Sequence, residues 1–96
     1  MIDVNIVELV AVEDDYSVEI IPRASVEDED DFAMDLRRFY DSVKKMAICK
    51  AKELEVQYGQ RVIVDMQESH YGLPVGEVYM DNRCVASYSL TRELLV

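Results

Sequence analysis

The chain has 96 residues, half of them apolar, with twenty acidic and ten basic residues and a formal net charge of −10. That length serves one hydrophobic core, residues 1–96 forming a single domain, and the apolar share is too high for a disordered chain. The acidic balance excludes direct contact with nucleic acid or an anionic membrane as the main function, because phosphates are met by Lys and Arg.

Residues 2–12, rich in Val, Ile and Leu, predict a first strand ending at Glu13-Asp14-Asp15. Ile2, Val4 and Ile6 share one face and Val7, Leu9 and Ala11 the other. Both faces are therefore expected to be partly buried, or the strand to bulge near Glu8. Tyr16, Val18 and Ile20 alternate with Ser17 and Glu19, which predicts a second strand, half-buried on its Tyr-Val-Ile side, and a hairpin with the first. Pro22 has no N–H to give a ladder, so it ends the pairing or lies on a sheet edge.

Ser25–Asp31 is the one stretch with a disordered composition, yet it also resembles a helix start. Ser25 would cap, and early carboxylates would complement the positive end of the helix dipole. Phe32, Leu36, Phe39, Val43 and Met46 follow at helical spacing, and Ala47, Ala51 and Leu54 extend the stripe with a drift in phase. Gly59 suits a left-handed residue past the last turn. A helix over residues 27–58 would be about 45 Å long, whereas a sphere of this mass is about 35 Å across. The mismatch predicts that the helix overhangs, breaks near Cys49 or frays at its acidic end.

Arg61–Gln67 predicts a third strand and Glu68–Gly76 a loop rich in breakers. Glu77–Met80 and Arg83–Tyr88 flank Asp81-Asn82, a two-residue turn whose side chains tolerate positive φ. Thr91 is placed as the cap of a last short turn through Leu95. The order β-β-α-β-β-β predicts an α+β fold, a single antiparallel sheet of about five strands with one long helix packed on one face.

Few residues suggest chemistry. Cys49 and Cys84 fit no metal spacing and are expected to be buried free thiols. His70, with Glu68 and Tyr71 beside it, lacks the partners of a metal site or a catalytic relay and reads as an ordinary loop histidine. No phosphate-binding glycine loop or serine elbow occurs. An EF-hand starting at Asp28 would need an oxygen ligand where Phe32 stands and glycine where Ala33 stands. No metal, cofactor or catalytic residue is implied. No signal peptide or spanning segment is evident, so a cytoplasmic protein is expected.

The charge distribution is the strongest functional signal. Residues 1–31 hold eleven acids against Arg23 alone, while the other 65 residues balance nine acids with nine bases. Such a field costs stability, and a small domain retains it most readily where binding offsets the repulsion. The expected partner-binding residues are Asp14, Asp15, Glu19, Glu27, Asp28, Glu29, Asp30 and Asp31, with Tyr71 as an exposed aromatic contact. They describe a non-enzymatic inhibitor or binding protein whose carboxylates occupy the basic groove of a nucleic-acid-binding protein. Small acidic phage-encoded proteins offer an analogy of size and charge. Two alternatives stand beside it. One is that the acidic arm folds onto the basic middle of the helix, with Arg37–Asp41 and Asp41–Lys45 pairing locally. The other is a homodimer or assembly module joined through Phe32, Leu36, Phe39 and Val43 of the helix.

Overall fold

The computed structural model describes residues 1–94. Five strands, β1 (Ile2–Val12), β2 (Asp15–Val26), β3 (Val62–Glu68), β4 (Pro74–Met80) and β5 (Arg83–Leu94), form one antiparallel sheet in the order β2-β1-β5-β4-β3. One helix, α1 (Glu29–Tyr58), packs against one face. The α+β architecture and the element order are those expected from the residue pattern.

Helix α1 runs unbroken through Cys49. Phe32, Phe39, Val43, Ala47, Ala51 and Leu54 are buried along nearly its whole length, and Leu36 and Met46 flank them half-buried. They meet Ile2, Val4 and Ile6 of β1, Val78 and Met80 of β4, and Ala86, Tyr88 and Leu90 of β5. No overhang is needed, because the domain is not spherical: its extents are 45 × 22 × 22 Å. Eleven- and twelve-residue strands rise about 3.3 Å per residue and so nearly match the helix in length.

Both ends of the helix are fixed locally. Asp28 caps it from an extended backbone, its carboxylate accepting the Asp31 N–H at 2.9 Å. Gly59 closes it at φ 64°, donating its N–H to the Glu55 carbonyl at 2.8 Å. Ser25 is therefore not the cap. It lies within β2, and its hydroxyl donates to Asp3 at 2.6 Å. The stretch suspected of disorder is ordered by strand pairing and then by this cap.

The largest departure from expectation is in β2. Tyr16, Val18 and Ile20 do alternate, but they lie on the sheet face away from the helix and are 71%, 51% and 68% exposed. A bulge explains this. Ala24 pairs with Val4 and Pro22 with Asn5, so Arg23 is an extra residue and the parity of the strand reverses there. Ile21, not Ile20, then faces the helix side opposite Ile6. The bulge falls in β2 rather than near Glu8 of β1. Pro22 occupies an edge strand, which tolerates a missing donor.

The second hairpin turns at Asp81 and Asn82, with φ 53° and 61°. Beyond it β5 continues as a strand to Leu94, so Thr91 caps no terminal turn; its hydroxyl donates to the Asn5 carbonyl at 3.4 Å. Leu95 lies outside the described residues. Both cysteines are free as expected but exposed rather than buried. Desolvation and the nearby Glu77 carboxylate raise the Cys84 thiol above its ordinary pKa.

Candidate partner-binding cleft

The acidic residues fall at two ends of the molecule. Glu13, Asp14 and Asp15 occupy the β1–β2 turn, whereas Glu27 and Asp28 follow the other end of β2. Between them lie eleven residue steps of strand, roughly 35 Å. Glu19 stands between these groups, directly across the ladder from Glu8. The partner-binding residues predicted from sequence therefore do not form one patch. The larger group is Glu27–Asp31, at the start of α1.

At that end the domain has a cleft of about 830 Å³. Phe32 and Leu36 of the helix, Leu73 of the β3–β4 loop and Leu90 of β5 make it apolar, and Glu29, Arg92 and Tyr71 line it as well. A volume of this order is typical of sites that hold a ligand or a partner side chain. Two residues singled out from sequence, Glu29 and Tyr71, thus meet across one opening. Tyr71 is 85% exposed, and His70 packs on it edge to face at 5.4 Å.

The loop that carries Tyr71 is internally braced. The Ser69 hydroxyl accepts N–H groups from Tyr71 at 3.3 Å and Leu73 at 3.2 Å. The Ser69 N–H donates to the Leu73 carbonyl at 2.8 Å, and the Gly72 N–H to the Ser69 carbonyl at 2.9 Å. Gly72 holds φ 76°, a left-handed conformation that other residues adopt at a cost. The Ser69 oxygen is thereby committed to the loop. His70 makes no side-chain hydrogen bond among the described residues, and no group of three metal-ligating side chains occurs among them.

Arg92 organises the wall opposite. Its guanidinium forms a two-pronged ion pair with Glu29 and lies over the Phe32 ring, 4.8 Å from the centroid. The hydrogen bonds from Arg92 hold the Glu29 carboxyl below its ordinary pKa. Asp31 behaves oppositely. Repulsion from Asp28 first, then desolvation and the charges of Glu27, Asp35 and Asp30, push its carboxyl above the usual value. Among the described residues the only ion pairs are Arg92–Glu29 and Lys50–Glu53. The acidic arm therefore does not fold onto the basic stretch of the helix, and neither Arg37–Asp41 nor Asp41–Lys45 closes to ion-pair distance.

The helix stripe proposed for dimerisation is already in use. Phe32, Phe39 and Val43 are buried against the chain's own sheet, leaving that stripe little to offer a second helix. The sequence signals for the cleft were weak: Leu73 and Arg92 carry no motif, and the approach of Arg92 to Phe32 depends on β5 returning beside β1. No helix is long and apolar enough to cross a membrane among the described residues. Comparison with known proteins gave no match, whether to a family model, a curated protein or a solved structure.

Proposed function

We propose that this chain is a non-enzymatic binding protein that uses the acidic start of α1 and the adjoining cleft to engage a basic protein. One observation carries the reading. Four carboxylates, Glu27, Asp28, Asp30 and Asp31, crowd the cleft end without a cation in ion-pair contact among the described residues, so closely that the Asp31 carboxyl is held above its ordinary pKa. A basic partner relieves that repulsion on binding and is steered toward it beforehand. Nucleic-acid-binding proteins present such basic surfaces, and carboxylates at this end would stand in for phosphates. Binding rather than catalysis also suits Ser69, whose oxygen is held by loop N–H groups, and His70, which has no relay partner among the described residues.

The test separates the two acidic ends. Affinity capture from the source cells, followed by stepwise salt elution, should yield a basic protein. Asp30→Lys with Asp31→Lys should abolish its binding, while Asp14→Lys with Asp15→Lys should retain it. Asp28 is left alone because it caps the helix. Binding indifferent to salt, or equal for both variants, overturns the reading.

A second reading, self-assembly, is favoured by a separate observation: Tyr16, Val18 and Ile20 form an exposed apolar row beside Val7, Leu9 and Ala11 on the uncovered sheet face. Sedimentation over a concentration series decides it, since a monomer at all concentrations removes this alternative.

A further inference from the structure

Strands β4 and β5 do not end together. Their pairing stops at Val75–Ser89, yet β5 continues beside β1 until Leu94 lies opposite Ile2. Residues Leu90–Leu94 therefore have a neighbouring strand on one side only among the described residues. Along the other side, alternate residues direct backbone N–H and C=O groups into the space that a longer β4 would fill. That space is the cleft, bounded by Phe32, Leu36, Leu73 and Arg92.

An unpaired strand edge beside an apolar groove under a helix is the geometry of strand addition, in which main-chain hydrogen bonds supply affinity and alternate side chains supply specificity. We propose that this slot receives an extended segment of a partner protein, added as a strand beside Leu90–Leu94. One bulky apolar side chain would lodge between Phe32, Leu36 and Leu73, and Lys or Arg residues would flank it. The basic flanks follow from charge complementarity. Glu29 lines the opening with Glu27, Asp28, Asp30 and Asp31 beside it in sequence, and Arg92, the one cation among the described lining residues, is already committed to Glu29. A strand added about 4.8 Å from β5 sends every second side chain under the helix and the others onto the uncovered face. The Ser69-braced loop forms one wall in advance, which lowers the ordering cost of binding. The free edge of β2 is a poorer acceptor, since Pro22 and the bulge at Arg23 interrupt it. This inference deepens the basic-partner reading and rests on it for the flanking charges alone.

The probe is a fluorescein-labelled heptapeptide, Thr-Lys-Thr-Phe-Thr-Arg-Thr, whose Lys, Phe and Arg share the face that meets the helix, titrated by fluorescence polarisation. Its controls carry Glu at every basic position, or N-methyl groups on alternate backbone nitrogens. The parent peptide should bind and shift the amide resonances of Leu90–Glu93. N-methylation should weaken binding at least about tenfold, because it blocks the ladder without changing charge. Ala33→Trp, at an exposed position lining the slot, should weaken it similarly while leaving the melting temperature unchanged. No binding of the parent peptide overturns the proposal. Equal binding of parent and N-methylated peptides, or full binding to Ala33→Trp, overturns the slot but leaves the basic-partner reading standing. Equal binding of the acidic control overturns the flanking-charge requirement and that reading with it, while the strand-addition site survives.

Discussion

Gly76 of β4 and Ala47 of α1 meet so closely that a methyl group on Gly76 would lie 3.0 Å from the Ala47 Cβ. The same methyl would stand 3.2 Å from the Met66 sulfur and 3.4 Å from Val43 Cγ1. The absent side chain lets the helix settle onto the middle of the sheet. Gly76→Ala should therefore destabilise the domain by about 1–3 kcal/mol through overpacking. Adding Ala47→Gly should recover part of that loss, and urea denaturation of the two single variants and the double variant measures the coupling.

Tyr88 is buried, and its hydroxyl donates to the Glu8 carboxylate at 2.6 Å. Tyr88→Phe removes the donor and leaves Glu8 beside Glu19 without it. A hydrogen bond to a charged group suggests a loss of about 2 kcal/mol at neutral pH. Burial first, and the Glu8 contact second, hold the phenol far above its ordinary pKa of 10.0. The folded state thus keeps a proton that the unfolded state releases. The associated stability is complete below pH 10.0 and declines as pH rises beyond it. Urea midpoints should fall less steeply above that pH in Tyr88→Phe than in the parent.

The first turn of α1 contains opposed electrostatic effects. Asp28→Ala removes the cap and should cost about 1 kcal/mol. Asp31→Asn keeps the backbone N–H that meets the cap but removes a repelled charge, so it should raise the melting temperature at neutral pH. Because the Asp31 pKa is raised, the gain should shrink as pH falls through its folded value and the parent carboxyl becomes neutral. Glu29 runs the other way. Its lowered pKa gives stability that is present above 4.5 and lost as pH falls through the folded value, so Glu29→Gln should lose its effect in acid.

Val18→Thr and Ile20→Thr test the uncovered face. Both residues are more than half exposed, so each change should move stability by no more than about 0.5 kcal/mol. Had these side chains packed beneath the helix, losses of a larger order would follow. Chemical denaturation distinguishes the two placements.

Much of the architecture was legible because it is local. The stripe from Phe32 to Leu54, the Gly59 terminus and the Asp81-Asn82 turn each follow from residues close in sequence. The face of β2 was not, because one extra residue at Arg23 reverses a parity that periodicity alone transmits unchanged. The cap went to Asp28 instead of Ser25 because β2 extends through Val26 and draws Ser25 into its pairing with Asp3. Glu29 and Tyr71 were each visible as candidates, but their shared cleft depends on Arg92 and Leu90, brought there by pairing between the two ends of the chain. The two acidic clusters illustrate the converse: residues near in sequence become distant once a long strand separates them.

Strand β5 lies between β1 and β4, with Ile2 opposite Leu94 and Val10 opposite Ala86. The middle of the sheet is thus knit from two strands far apart in sequence. During synthesis the first hairpin leaves the ribosome without the strand that joins it to β4. Cooperative closure must wait for translation of residues 86–94. A truncation removing them would leave apolar helix and hairpin surfaces unburied, the kind of product that chaperones and proteases recognise.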